Sequence, residues 1–156
     1  MKNKISPEDY SAILMALVLD KICLTNANLK VYSNIPNGGN IDLDFNDKYK
    51  FVDEDKFVRF IASFTLDGKI AENDNVIKLF TVSGDYSVVY YKQSDVVVTK
   101  EFFDVFKELS LSTIVWPYFR EYIQNMVSRT GLPPFVLPSK IIAKSKKKVN
   151  KHIKKS

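Results

Sequence analysis

Few residues in this sequence could support catalysis or metal binding. Cys23 is the only cysteine and His152 the only histidine, which excludes catalytic triads, cysteine-based zinc sites and an internal disulfide. Asp42, Asp44 and Asp47 could bind a cation, but they lack the spacing and closing Glu of an EF-hand, and acids that alternate along a strand are usually a solvated surface. We therefore expect no enzyme, no cofactor and no metal site.

The charge of the chain is divided unevenly between its body and its C-terminus. The 156 residues carry 23 Lys+Arg and 18 Asp+Glu, a formal charge of +5. Eight of those basic residues are lysines within 140–156, where there is no acid, so residues 1–139 hold the other 15 and all 18 acids, a net −3. We predict one domain over 1–139 and a basic, disordered tail over 140–156.

The lysine-rich tail leaves two interpretations open. It can bind nucleic acid or another anionic surface through counterion release, without sequence specificity because it lacks Arg and aromatic residues. It can also simply keep the protein in solution, and we favour this second interpretation, so nucleic acid is not an expected partner.

No segment of the sequence is typical of membrane insertion or export. The apolar stretch Ala12–Leu19 is far shorter than the roughly 20 residues of a membrane span, and no small-residue cleavage site follows it. We expect a cytoplasmic protein.

The hydrophobic pattern predicts an α+β domain. Ser6 and Pro7 are typical of a helix start, and a helix to about Met15 is expected. Strands are predicted at Leu17–Thr25, Ile41–Phe45, Lys56–Leu66 and Val76–Lys92, with breaks at 34–40, 46–50, Asp67-Gly68 and 71–75. Short turns favour an antiparallel meander. Two helices follow, one near Lys100 with an apolar face of Phe102, Val105, Phe106 and Leu109, and one over Thr113–Thr130 with Pro117 near its first turn.

The second of these helices is apolar around more than one side. The residues concerned are Trp116, Phe119, Tyr122, Ile123, Met126 and Val127. Such a helix usually has two surfaces to pack against. It is either a core helix of a monomer, or it packs on the sheet with one face and lines a subunit interface or groove with the other.

The segment from Trp116 to Pro138 resembles the signature helix of the SecB protein-export chaperone family. That family has an aromatic-Pro-Tyr-Ala-Arg-Glu start, a Val-Ser-Arg-Gly-Gly end and a Phe-Pro-Pro-Leu extension. The matching residues are Pro117, Tyr118, Arg120, Glu121, Val127, Ser128, Arg129, Gly131, Pro133, Pro134, Leu137 and Pro138. The order of an acidic-faced strand, a long strand, a strand with Gly84 and Tyr86 and then two helices is also similar, so the resemblance spans about residues 17–138.

The resemblance implies a binding protein without catalysis. SecB-like subunits have a four-stranded antiparallel sheet with helices on one face, form homotetramers as dimers of dimers, and hold unfolded preproteins in apolar grooves. It implies client-binding roles for Trp116, Tyr118, Tyr122, Met126, Leu132, Phe135 and Leu137, for which core packing or an oligomer interface is the alternative. It also implies an acidic surface, here Asp42 and Asp44, that docks on the SecA translocase motor.

The sequence departs from the family after Pro138. Ser139-Lys140-Ile141-Ile142 replaces the family's Pro-Val-Asn-Phe, and the tail is basic where the family's is acidic, so it cannot contribute to SecA docking. Divergent members of the family act as chaperones for antitoxins in toxin–antitoxin systems. The expected partner is therefore an unfolded client, with SecA or an antitoxin as open alternatives.

Overall fold

The computed structural model describes residues 4–33, 40–132 and 137, together with the backbone of 149–151. In chain order the elements are α1 (Pro7–Met15), β1 (Leu17–Val31), β2 (Ile41–Asp53), β3 (Phe57–Glu72), β4 (Asn75–Lys92), α2 (Lys100–Phe106), a π-helical turn (Lys107–Leu111), α3 (Ser112–Val127) and β5 (Val149–Lys151). The sheet order is β1-β4-β3-β2-β5. The predicted α+β class with a four-stranded antiparallel sheet is confirmed, and the short β5 adds to it.

The predicted meander is wrong for the first strand. β1 pairs with β4 rather than with β2, its neighbour in sequence. The segment 32–40 between β1 and β2 is too long for a two-residue hairpin, so the chain can cross to another edge of the sheet. The turn predicted at 34–40 lies almost entirely outside the described residues.

Three predicted strand ends are also wrong. β1 continues past Thr25 to Val31. β2 continues through 46–50, where half-buried and exposed residues alternate along an amphipathic strand despite the polar sequence. β3 continues through Asp67-Gly68 to a two-residue hairpin loop at Asn73 and Asp74, whose φ angles are 47° and 63°. Positive φ at both loop residues matches a type I′ turn, in which Asn and Asp are favoured.

The helices begin where the sequence predicts, but the segment between α2 and α3 differs from the prediction. The Ser6 hydroxyl accepts a hydrogen bond from the Asp9 backbone N–H (3.0 Å), and α1 ends at Met15 as expected. The apolar face predicted for α2 is wrong at Leu109, which is 66% exposed. The π-helical turn contains one extra residue per turn, so Leu111 is buried instead. Pro117 lies inside α3, which begins at Ser112.

The chain divides into two compact units. The first comprises Met1–Thr25, Lys48–Ser63 and Asp85–Val115, and the second Asn26–Asp47, Phe64–Gly84 and Trp116–Ser156. In the first unit Phe103 and Phe106 of α2 pack on Phe60 of β3, with ring centroids 6.0 and 4.7 Å away.

The first unit also contains a buried ion pair. Lys92, with only 6% of its side chain exposed, lies 2.5 Å from the Asp53 carboxylate and donates a hydrogen bond to the Glu54 carbonyl (2.7 Å). The same carboxylate accepts the backbone N–H of Val98 at 3.0 Å. Asp53 therefore connects the end of β4 to the segment that leads into α2.

Candidate functional site

In the second unit, α3 is fixed by aromatic packing on β2 and β3. Trp116 meets Phe45 edge-on at 5.3 Å, and Phe119 lies 4.9 Å from Phe64. Trp116 and Phe119 are both buried. This face of the helix belongs to the core, and Trp116 can reach a client only if the helix moves.

Another side of α3 meets solvent. Tyr118 is 48% exposed, while Tyr122 and Met126 are half-buried. The Tyr122 hydroxyl donates a hydrogen bond to the Ser83 carbonyl of β4 at 3.2 Å. Burial raises the pKa of Tyr122, and a hydrogen bond to the Asn28 carbonyl offsets part of that rise. Tyr122 is thus a neutral hydrogen-bond donor whose ring is held against the sheet.

The segment after α3 contributes three of the predicted client-binding residues. Gly131, with φ of 74°, follows the end of the helix, and Leu132 and Leu137 are buried. Phe135 lies outside the described residues. Of the seven predicted residues, the structure places Tyr118, Tyr122 and Met126 on one exposed or half-buried strip and buries Trp116, Leu132 and Leu137. Their roles in client binding remain predictions.

The predicted acidic face on β2 is already engaged by lysine. The ammonium of Lys69 lies 2.5 Å from an Asp44 carboxylate oxygen, and that contact raises the pKa of Lys69. Asp42 is half-buried one residue from the start of β2. The free negative charge of this face is therefore lower than the sequence suggests.

Next to this pair, Asp67 of β3 is held by Lys78 and Thr81. The Lys78 ammonium lies 3.0 Å from the Asp67 carboxylate, and the Thr81 hydroxyl donates to it. Partial burial raises the pKa of Asp67, but these hydrogen bonds outweigh that effect, so its pKa lies below the ordinary value. Within the described ranges, no three His, Cys, Asp or Glu side chains are grouped to hold a metal ion.

A further apolar surface, which sequence analysis missed, lies on the terminal strand of the sheet. Val18, Leu19 and Leu24 of β1 are exposed, and so is Met15 just before it. Val18 and Leu19 are consecutive, so β1 exposes apolar side chains on both faces. The weak alternation of residues 17–25 was the available signal, because a strand covered on one face alternates cleanly.

Comparison with known proteins places this geometry in a known fold. Neither a protein-family profile nor a curated protein matches the sequence. Among solved structures, a SecB-like chaperone of Mycobacterium tuberculosis, in complex with a ChAD peptide from the HigA1 antitoxin, aligns with a TM-score of 0.72 at 15% identity. The alignment covers 88% of this chain and 99% of that one. The chain has a SecB-like fold.

The SecB-like fold confirms the architecture that the sequence resemblance implied, including the long C-terminal helix. A protein of unknown function from Streptococcus agalactiae also aligns, at 11% identity over 78% of this chain and 96% of that one, but its TM-score of 0.41 is too low to inform the fold. Among the described helices, none combines the length and apolar character required to cross a bilayer.

Proposed function

We propose that this protein is a chaperone that binds non-native polypeptides without catalysis. The observation that carries the proposal is the SecB-like fold, shared over 99% of a chaperone solved with a peptide bound. The exposed apolar side chains on α3 and β1 support it, because apolar surface accessible to solvent is what holds an unfolded chain. The predicted cytoplasmic location belongs to the same proposal.

Client binding is assigned to the exposed strip of α3, made of Tyr118, Tyr122 and Met126. Aromatic and methionine side chains suit a surface that must accept many sequences, since they give large contact area and adapt in shape. Leu132, Phe135 and Leu137 extend this strip in the proposal, and the burial of Leu132 and Leu137 means that a client would have to displace them.

Self-association is assigned to β1. A terminal strand offers unpaired backbone groups, and its exposed Val18, Leu19 and Leu24 would be covered by a second copy. The proposed homotetramer needs such a contact within each dimer. Val18→Lys should reduce the native mass towards that of the monomer, whereas Ser11→Lys on the exposed surface of α1 should leave it unchanged; equal masses for both variants and the parent would contradict this assignment.

The experiment that tests chaperone function is suppression of aggregation. A chemically denatured model protein is diluted into buffer with the full-length chain at micromolar concentration, and light scattering is recorded. Tyr118→Ala should weaken suppression several-fold, while Gln124→Ala, exposed on the same helix, should not. Absence of suppression by the parent protein, together with no binding of unfolded chains, would refute the proposal.

A second candidate function is that of a chaperone dedicated to one antitoxin instead of to many clients. It is favoured by the HigA1 antitoxin peptide bound to the structurally similar chaperone. A dedicated chaperone should bind antitoxin-derived peptides such as ChAD and fail to suppress aggregation of unrelated proteins, whereas a general one should do both. Docking on SecA is less favoured, because Asp44, which belongs to the acidic surface implied for that docking, already pairs with Lys69.

A further inference from the structure

The outer edge of β2 is covered by the chain's own C-terminal segment. Val149–Lys151 pairs antiparallel with the start of β2, with Ile41 opposite Lys151, Asp42 opposite Asn150 and Leu43 opposite Val149. In the sheet order β2 is the last long strand on this side, so β5 occupies an edge whose backbone groups would otherwise be open to another strand.

The printed register leaves this pairing to the backbone. Ile41 lies opposite Lys151 and Asp42 opposite Asn150, so within the paired stretch no acid of β2 stands opposite a lysine of β5. The segment is therefore held as an added strand and not by cross-strand ion pairs.

The connection to the body favours pairing within one chain. Leu137 is buried, and the 11 residues 138–148 separate it from Val149. A short linker of this kind gives an effective concentration of about 1 mM, far above the micromolar concentration of a second copy. A strand of only three residues pairs too weakly to hold at micromolar concentration, so it is held mainly by its tether.

We propose that Val149–Lys151 is a built-in strand that closes the β2 edge of its own chain against other strands. This gives part of the C-terminal segment a partner inside the protein, distinct from nucleic acid or an anionic surface. The inference does not depend on the proposed chaperone function. Any other extended polypeptide that adds to the start of β2 must first displace this segment.

Disulfide trapping in the full-length chain tests the register. In a Cys23→Ser background, Asp42→Cys is combined with Asn150→Cys, because directly opposed residues in an antiparallel pair lie within reach of a disulfide. The matched control combines Asp42→Cys with Ser145→Cys, which also leaves every lysine in place. Under mild oxidation the first pair should form an intramolecular disulfide at least ten times faster than the control.

Two other outcomes would overturn the proposal. Equal rates for the two pairs would mean that the tail has no preferred register on β2. Disulfide-linked dimers, identified on a non-reducing gel and by mixing chains of two masses, would mean that the segment pairs with a second copy.

Amide hydrogen exchange on the otherwise native chain gives an independent measurement. Asn150→Pro and Lys151→Pro each remove a backbone donor from β5, and at least one should accelerate exchange at Ile41–Leu43 several-fold, whereas Ser145→Pro should not. Exchange that is unchanged by both β5 prolines refutes the pairing.

Discussion

Replacing Gly68 should destabilise the fold for a reason that can be measured separately from strand propensity. A Cβ on Gly68 would lie 2.5 Å from Cζ and 2.7 Å from Cδ1 of Phe80, and closer still to Cε1 of that ring, where carbon atoms normally approach to about 3.5–4.0 Å. Phe80 is fully buried, so its ring can move only if neighbouring core side chains shift with it. The clash should destabilise Gly68→Ala by about 1–3 kcal/mol, the usual effect of overpacking. Removing glycine from a strand should offset about 0.5–1 kcal/mol of that cost.

A double-mutant cycle isolates the clash. Phe80→Ala alone should cost about 3–5 kcal/mol from lost burial and the resulting cavity, and Phe80→Leu should cost less. With the ring removed, Gly68→Ala should become neutral or slightly stabilising, which gives an interaction free energy of about 1–3 kcal/mol. The assay is urea unfolding of the four variants with a common m-value.

Gly131→Ala is the matched control for this cycle. Gly131 has φ of 74°, and no atom of the described residues lies within 4 Å of the position that a Cβ would occupy. Its replacement should therefore cost about 1 kcal/mol through backbone strain alone. That cost should be the same with and without the Phe80 ring. If Gly68→Ala destabilises equally in both backgrounds, the close approach of Phe80 is not the reason for glycine at this position.

Three further predictions concern charged and polar groups. Lys92→Met should lower the free energy of unfolding by about 3 kcal/mol in urea titration, because it leaves the Asp53 carboxylate without its buried partner. Tyr122→Phe should cost about 1 kcal/mol in the same assay by removing one hydrogen bond to a β4 carbonyl, with no change in native mass. Since the pKa of Asp67 is lowered in the folded state, its pairing with Lys78 should contribute fully above the unfolded pKa and be lost as pH falls through the folded pKa. Asp67→Asn should therefore reduce the change in the free energy of unfolding between those two pH values. A variant that loses as much stability at acid pH as the parent would contradict this.

Sequence patterns located most elements because their signals are local. Ser6 and Pro7 specify the start of α1 through capping and a preset φ, and α1 begins there. Gly68 misled the prediction, because glycine is usually a turn signal and only the structure shows an aromatic ring packed over it. Leu109 was misassigned since a helical periodicity assumes an uninterrupted α-helix, and the π-helical turn shifts every later residue.

The sequence predicted that α3 has two apolar sides but not which residues lie on each side. The composition of α3 indicated two apolar sides, and the structure has a core side and an exposed strip. Periodicity cannot tell which aromatic residue fills a core and which faces solvent, because Trp116 and Tyr118 are equally apolar in pattern; the packing of Trp116 on Phe45 decides it. The pairing of Lys69 with Asp44 joins residues on different strands, so it too required the register of the sheet.

The order β1-β4 has a consequence for synthesis on the ribosome. β1 ends at Val31 and its partner β4 begins at Asn75, 44 residues later, which at translation rates of about 5–20 residues per second is a delay of about 2–9 s. During that interval β1 has no partner in its own sheet. By contrast, β3 and β4 can form a hairpin around the Asn73–Asp74 turn within microseconds once both have emerged. A nascent chain of this protein therefore presents an apolar strand to its surroundings for seconds before it can fold.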